Sequence, residues 1–225
     1  MSVRENIIEF KNLLNDKNCR LIAVSKTKPI ELIQEAYDAG QLDFGENKVQ
    51  ELREKPNQLP GDIRWHMIGH VQTNKVKYIA PFIYLIHAAD SLKLLKEINK
   101  QAEKNDRVIN CLFQVHIAQE THKFGFDETE LIEILKSDEL KSLENIKIIG
   151  LMGMATYTDD LDQIRIEFKS LKNTFYSIKS KFALPNVEMK ELSMGMSDDY
   201  SIAIEEGSTM IRVGSKIFGA RNYSQ

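Results

Sequence analysis

Cysteine is scarce in this chain. Its 225 residues include two, Cys19 and Cys111, with no CxxC spacing between them. That excludes a disulfide framework and reads as two small, mostly buried thiols in a reducing compartment. Long hydrophobic runs are also missing, and none approaches transmembrane length. The segment Met1–Phe10 carries Arg4, Glu5 and Glu9 and lacks a signal-peptide core, so a cytoplasmic protein is expected. Charge of one sign is absent too: 30 Lys and Arg face 33 Asp and Glu, for a net charge of −3. With no basic stripe, nothing points to nucleic acid, although small anions need only local donors. No Gly/Ser-rich linker, long charge run or sequence repeat divides the chain. One domain spanning 1–225 is expected.

What is present is alternation. Hydrophobic residues make up 42% and charged residues 28%, a balance suited to a globular core. Strand-like runs fall near Leu21–Ser25, Asp43–Gly45, Arg64–Ile68, Tyr84–His87, Asn110–Ile117, Ile146–Met152, Glu188–Ser193 and Met210–Val213. Between them lie amphipathic stretches. Ile30–Ala39 ends at Gly40, and Ser91–Glu103 opens on Ser91 or Asp90 as N-cap. Asp127–Lys136 has Asp127 and Glu130 in a capping-box pattern, and Leu161–Phe182 repeats its apolar residues at helical spacing. Strands alternating with helices imply an α/β fold, either a (β/α)8 TIM-type barrel or a doubly wound sheet.

In a barrel, the C-terminal strand ends carry the chemistry. Lys26 closes the first apolar run, where an amine can lose its proton and attack a carbonyl. Lys28 lies two residues on and would face the same side, so periodicity alone does not separate the two. After the seventh strand comes Ser193-Met194-Gly195-Met196-Ser197, and after the eighth Gly214-Ser215. Loops in these two positions suit a phosphate, because glycine permits close backbone approach and N–H and hydroxyl groups donate. A phosphate clamp beside an amine fits a phosphorylated aldehyde held as a Schiff base. His66 and His70, spaced i, i+4, read better as rim histidines than as metal ligands, because a strand and Gly69 intervene. His116, Glu120, His122 and Lys123 read as a rim network rather than a metal site. Asp198 and Asp199 read as caps of a helix over Ser201–Glu206.

Five ordered segments then resemble a known family: 23–29 (AVSKTKP), 44–51 (FGENKVQE), 65–75 (WHMIGHVQTNK), 192–199 (LSMGMSDD) and 212–219 (RVGSKIFG). They are similar to the pyridoxal phosphate homeostasis proteins, also called YggS-like or proline synthase co-transcribed homologues. The likeness runs from about Leu21 to Arg221. It implies a single barrel related to the N-terminal domain of alanine racemase, with pyridoxal 5′-phosphate (PLP) held as a Schiff base. The implied cofactor-binding residues are Lys26, Asn47, Ser193, Met194, Arg212, Gly214 and Ser215, with the lysine falling on Lys26 rather than Lys28. No catalytic residue and no metal is implied. His116 stands where many relatives carry asparagine, while Glu120, Lys123 and Gly125 fit.

An arginine at the pyridine nitrogen disfavours protonation there and weakens the electron sink. The expected function is therefore intracellular PLP homeostasis without evident turnover, by a monomer that serves PLP-dependent apo-enzymes. The alternatives are a narrow amino-acid racemase using His66 or His122 as second base, a Schiff-base aldolase acting on a sugar phosphate, and a regulatory interaction module.

Overall fold

The structure, a computed structural model, describes residues 2–119 and 124–220. Eight parallel strands close into a barrel in chain order: β1 Arg20–Val24, β2 Asp43–Glu46, β3 Arg64–Met67, β4 Leu85–Ala89, β5 Ile109–Gln114, β6 Ile146–Met152, β7 Val187–Ser193 and β8 Met210–Val213. The open doubly wound alternative is thereby excluded. Closure comes from β1 pairing with β8, Leu21 opposite Ile211 and Ala23 opposite Val213. Consecutive parallel pairing puts every strand's C-terminal end on one rim.

The helices follow from local sequence. α1, Val3–Leu14, is set by a complete capping box between Ser2 and Glu5; the periodicity reading had placed no helix there. α2, Ile30–Asp38, stops where Gly40 takes φ +83° and its N–H returns to Tyr37 O at 2.7 Å. α3 is Val49–Glu54 and α4 Leu92–Glu103, capped by Ser91. α5, Glu128–Lys136, has the expected Asp127–Glu130 box, and α6 is Asp138–Lys141. α7 is Leu161–Lys181, α8 Tyr200–Glu205 and α9 Ser215–Phe218.

Two apolar layers result. The larger lies between barrel and helices, where Phe44, Trp65 and Phe113 meet residues such as Ile33, Leu95 and Phe168. Burying each such side chain contributes about 1.5–3 kcal/mol. The smaller fills part of the barrel interior with Ile22, Leu85, Leu112, Met152 and Met210. Along β8 the alternation is visible: Met210 belongs to the interior cluster and Ile211 to the outer layer.

Some boundaries differ from the sequence reading. The fifth strand ends at Gln114 rather than Ile117: Val115 N–H still reaches Met152 O of β6, but Val115 also bridges Phe126 and His116 N–H donates to Phe126 O, which takes the chain off the barrel wall. Asp199 sits at the N-cap of α8, but neither it nor Asp198 caps the helix through its side chain. Asp199 accepts the Met196 N–H instead and fastens the loop before the helix. Both cysteines are buried. Burial pushes the Cys19 thiol up to about 11 and raises Cys111 as well, which makes both poor nucleophiles.

Candidate functional site

Lys26 stands in a tight turn at the end of β1. Lys28 N–H donates to Ser25 O at 3.0 Å, closing the turn, and Thr27 takes φ +63°. A β-branched residue in that region costs about 1–3 kcal/mol. The cost is met by a buried polar cluster. Thr27 N–H donates to Glu51 Oε2 at 2.8 Å, and Lys55 Nζ donates to Ser25 O, Glu46 Oε1 and Glu51 Oε2 at 2.8, 2.7 and 2.6 Å. Ser25 Oγ also donates to Glu46 Oε1, at 2.6 Å. The turn that presents Lys26 is therefore braced from α3 and the end of β2. Burial raises the Glu46 carboxyl above the ordinary carboxylate range, against the pull of the Lys55 ammonium and the Ser25 hydroxyl.

The two candidate lysines now differ. Lys28 Nζ donates to three backbone carbonyls, Phe218, Gly219 and Ala220, each at 3.0 Å. All three Nζ hydrogens of an ammonium are matched by these acceptors, so Lys28 ties its turn to the C-terminal end of α9.

Asn47 flanks Lys26 on the β2 side. Its Oδ1 is buried without a hydrogen-bond partner, as is Glu46 Oε2. Buried orphan acceptors cost stability unless something completes them. The backbone of Asn47 is approached so closely by Gly69 that a Cβ on Gly69 would lie 2.6 Å from Asn47 O. Gly69 thus packs the third loop against the second.

On the other side lie the loops after β7 and β8. Gly195 takes φ +95°, and a Cβ there would sit 2.5 Å from Ala203 Cβ, so only glycine fits. Arg212 N–H donates to Gly195 O at 2.9 Å, binding the first loop to β8. Gly214 lies beside the β1 exit, where an added Cβ would meet Val24 O at 3.2 Å, and its N–H donates to Ser197 Oγ at 3.3 Å. Ser215 opens α9 next to it. Met194 is wholly buried, and its N–H donates to Met210 O in the β7–β8 wall.

Beneath the rim, Arg212 is 4% exposed and points into the barrel. Its Nη1 donates to Ser193 Oγ at 2.7 Å and its Nη2 to Gly153 O at 3.0 Å. Burial lowers the guanidinium to about 10, still fully charged at neutral pH. Ser193 Oγ also bonds His87 Nδ1 at 2.9 Å, His87 Nε2 bonds His66 Nδ1 at 2.9 Å, and His66 Nε2 bonds Asp43 Oδ1 at 3.0 Å. Arg64 holds both oxygens of Asp43.

The residues singled out from sequence thus distribute clearly. Lys26, Asn47, Gly214 and Ser215 gather around the ends of β1, β2 and β8, while Ser193 and Met194 lie in the wall behind them. His66 turns into the barrel, whereas His70 sits outside and pairs with Asp90; they share no ligand position. His116 is tied through its backbone to Phe126. Glu120, Thr121, His122 and Lys123 lie outside the described residues, as does Arg221. Sequence reasoning missed the bracing by Glu46, Glu51 and Lys55, and the roles of His87, Asp43 and Arg64. A strand carrying an inward His, as in Leu85–Ala89, was the available signal for His87.

A closed eight-stranded parallel barrel with a lysine at a strand end, two glycine-shaped loops after β7 and β8 and a buried arginine beneath them defines an α/β barrel of the TIM type with its polar groups gathered on one rim. Comparison with known sequences narrows it. The profile of the alanine racemase N-terminal domain matches residues 1–222. A pyridoxal phosphate homeostasis protein of Aquifex aeolicus is 39% identical over 92% of this chain and 90% of that protein. The Homo sapiens protein of the same name is 38% identical over 92% of this chain and 78% of its own length. Among solved structures, PipY of Synechococcus elongatus with PLP bound is 32% identical, with a TM-score of 0.86 and coverage of 97% of this chain and 100% of that one. The chain belongs to the pyridoxal phosphate homeostasis protein family. Alanine racemase of Streptomyces lavendulae, 13% identical with a TM-score of 0.78, shares the fold, and the present chain spans 57% of it.

Proposed function

We propose that this protein binds PLP covalently on Lys26 and serves intracellular PLP homeostasis, without turning over a substrate. The observation that carries this is the orphaned Asn47 Oδ1 beside a braced lysine and a glycine-shaped anion cradle, a donor and acceptor set that suits an aldehyde, a ring substituent and a phosphate. When bound, PLP supplies an aldehyde carbon that the Lys26 amine joins with loss of water. The strained turn fixes the Lys26 backbone so that its amine is presented to the rim. Asn47 offers its free acceptor to a hydroxyl. Ser215 and the Ser197 hydroxyl would donate to phosphate oxygens, with Gly214 keeping the backbone close enough to join them by giving up its long bond to Ser197, while Met194 and Gly195 fix the shape of that loop. Arg212 can only donate, so it keeps a proton off the ring nitrogen and weakens the electron sink. Ser193 steadies Arg212.

Holding without turnover follows from that weakened sink. The whole chain, 1–225, acts as one PLP-binding domain. It works in the cytoplasm as a monomer and passes PLP to apo-enzymes. Among the described residues no helix is long and apolar enough to cross a membrane.

Borohydride reduction of PLP-loaded protein, followed by peptide mapping, should place the adduct on Lys26. Label on Lys28, or none, overturns the reading. Incubation with common amino acids in deuterated water should leave Cα unlabelled; deuterium uptake would favour a racemase.

A further inference from the structure

The interior chain that ends on Arg212 has a direction that its own chemistry dictates. At one end, a guanidinium has only donors. At the other, Asp43 is held ionised by Arg64 and can only accept. His66 Nε2 must therefore carry the hydrogen given to Asp43. A neutral His66 then accepts at Nδ1, so His87 Nε2 carries the next hydrogen. A neutral His87 accepts at Nδ1, which draws the Ser193 hydroxyl hydrogen away from Arg212 and turns an oxygen lone pair towards its Nη1. Every hydrogen in the chain is assigned from its ends.

Both imidazoles are wholly buried, and burial is the first reason their basicity falls. Asp43 opposes this for His66, but the cations facing the pair, Arg20 from β1 and Arg64 from β3 towards His66 and Arg20 and Arg212 towards His87, lower it further. Tyr84 packs on the His66 ring, and Glu191 holds Arg20. Among the described residues, Asp43 is the one carboxylate hydrogen-bonded to either ring.

We infer that Ser193, His87, His66 and Asp43 form a one-way hydrogen-bond relay that positions Arg212, and that it couples the pyridine end of bound PLP to the Asp43–Arg64 ion pair at the opposite mouth of the barrel. The inference rests on the PLP reading above. Aligned hydrogen bonds polarise one another, so the far carboxylate strengthens the acceptor that Arg212 meets. Protonating His87 would reverse its bond to Ser193, flip that hydroxyl and set a second cation one group away from Arg212. In the relay the four residues act through Arg212, as positioning residues.

Two measurements test this. In apo-protein with ¹⁵N-labelled histidine, His66 and His87 should both appear as Nε2–H tautomers that do not titrate between pH 6 and 8. An Nδ1–H tautomer or a cation at pH 7 overturns the polarity. Arg64→Gln, at a half-exposed position, should bring His66 into that titration window. A His66 that stays silent there would overturn the role given to the ion pair.

In PLP-loaded protein, Asp43→Asn should shift the pH midpoint of the visible absorbance at least threefold in proton affinity. Glu191→Gln, the same charge change at the same mouth but outside the relay, should leave it in place. Equal shifts would mean a through-space field, and no shift would mean no coupling; either overturns the relay. Melting temperatures identify a variant that has not folded, for which Arg64→Gln is compared with Lys147→Gln, the same loss of a cation at the same mouth but outside the relay. If wild-type protein gives no borohydride adduct at all, the PLP reading falls while the tautomer result still stands or falls alone.

Discussion

The two ends of this barrel differ in what they leave unsatisfied, although charges pair at both. At the N-terminal mouth, charges meet charges: Arg20 pairs with Glu191, Arg64 with Asp43 and Lys147 with Glu188. At the C-terminal rim Lys55 meets Glu46 and Glu51, but Thr27 is also held at a strained φ of +63° and Gly195 at φ +95°, an angle only glycine takes without strain. Two of the buried side-chain oxygens without partners, Glu46 Oε2 and Asn47 Oδ1, also lie there. A third, Asn186 Oδ1, lies before β7, where its amide nitrogen already ties down the Leu140 and Leu143 carbonyls. The orphan at the base belongs to a side chain already spent on structure, while those at the rim stand beside Lys26 as acceptors that a ligand can complete. That is the physical content of an active rim and a stabilising base.

The contrast can be broken most sharply at the lysines. Lys26→Ala should abolish the visible absorbance of PLP-loaded protein, whereas Lys28→Ala should retain it and lower the melting temperature, since it removes a tie to three carbonyls. Absorption spectra and thermal melts of both variants decide the matter; loss of colour in Lys28→Ala alone would reverse the assignment. Next in size is Gly195→Ala, where both the backbone angle and Ala203 oppose a Cβ. A destabilisation of roughly 2–4 kcal/mol is expected, with a marked loss of PLP affinity. Denaturant unfolding and a PLP titration measure the two effects separately.

Acid sharpens the comparison, because the ends respond with opposite sign. The interior histidines are lowered by burial, so below about pH 6.5 the unfolded chain takes up protons that the folded one refuses. Their contribution is present above that pH and fades as pH falls, by up to about 1.4 kcal/mol per pH unit for each. Glu46 at the rim is raised to about 7, so it takes a proton in the folded state first and gives stability back as pH falls from 7 towards its unfolded value. Wild-type stability should therefore decline between pH 6.5 and 5, and Glu46→Gln should decline more steeply. Denaturation curves at three pH values check this, and a shallower slope in Glu46→Gln would contradict it. The smallest effect belongs to the base: Lys147→Ala, at an exposed pair, should leave both melting temperature and PLP affinity unchanged within error.

Much of the architecture was legible because it depends on periodicity. Ile146–Met152 and Met210–Val213 are the same in sequence reading and structure, since a parallel strand buried on both faces reads as an apolar run. α1 was missed although it carries both a capping box and the apolar stripe Val3, Ile7, Phe10 and Leu14; its charged residues were read for targeting rather than for helical spacing. Lys26 was legible as a cation where an apolar strand stops. Its separation from Lys28 was not, because two residues of equal chemistry and equal facing differ only in what stands across from them. The brace of Glu46, Glu51 and Lys55 was likewise hidden, because those two acceptors and one donor converge on Ser25 and Thr27 from more than twenty positions away.

The order of apolar and polar residues alone determined that strands and helices alternate, that the strands are buried, and that glycines and hydroxyls collect where strands end. These are local consequences of burial and backbone sterics. Only closure of the barrel decided that β8 lies beside β1, so that Gly214 meets Val24, and that two histidines on neighbouring strands link Arg212 to Asp43. Hydrogen-bond partners far apart in sequence are fixed by register and strand order, and neither is encoded in any single segment.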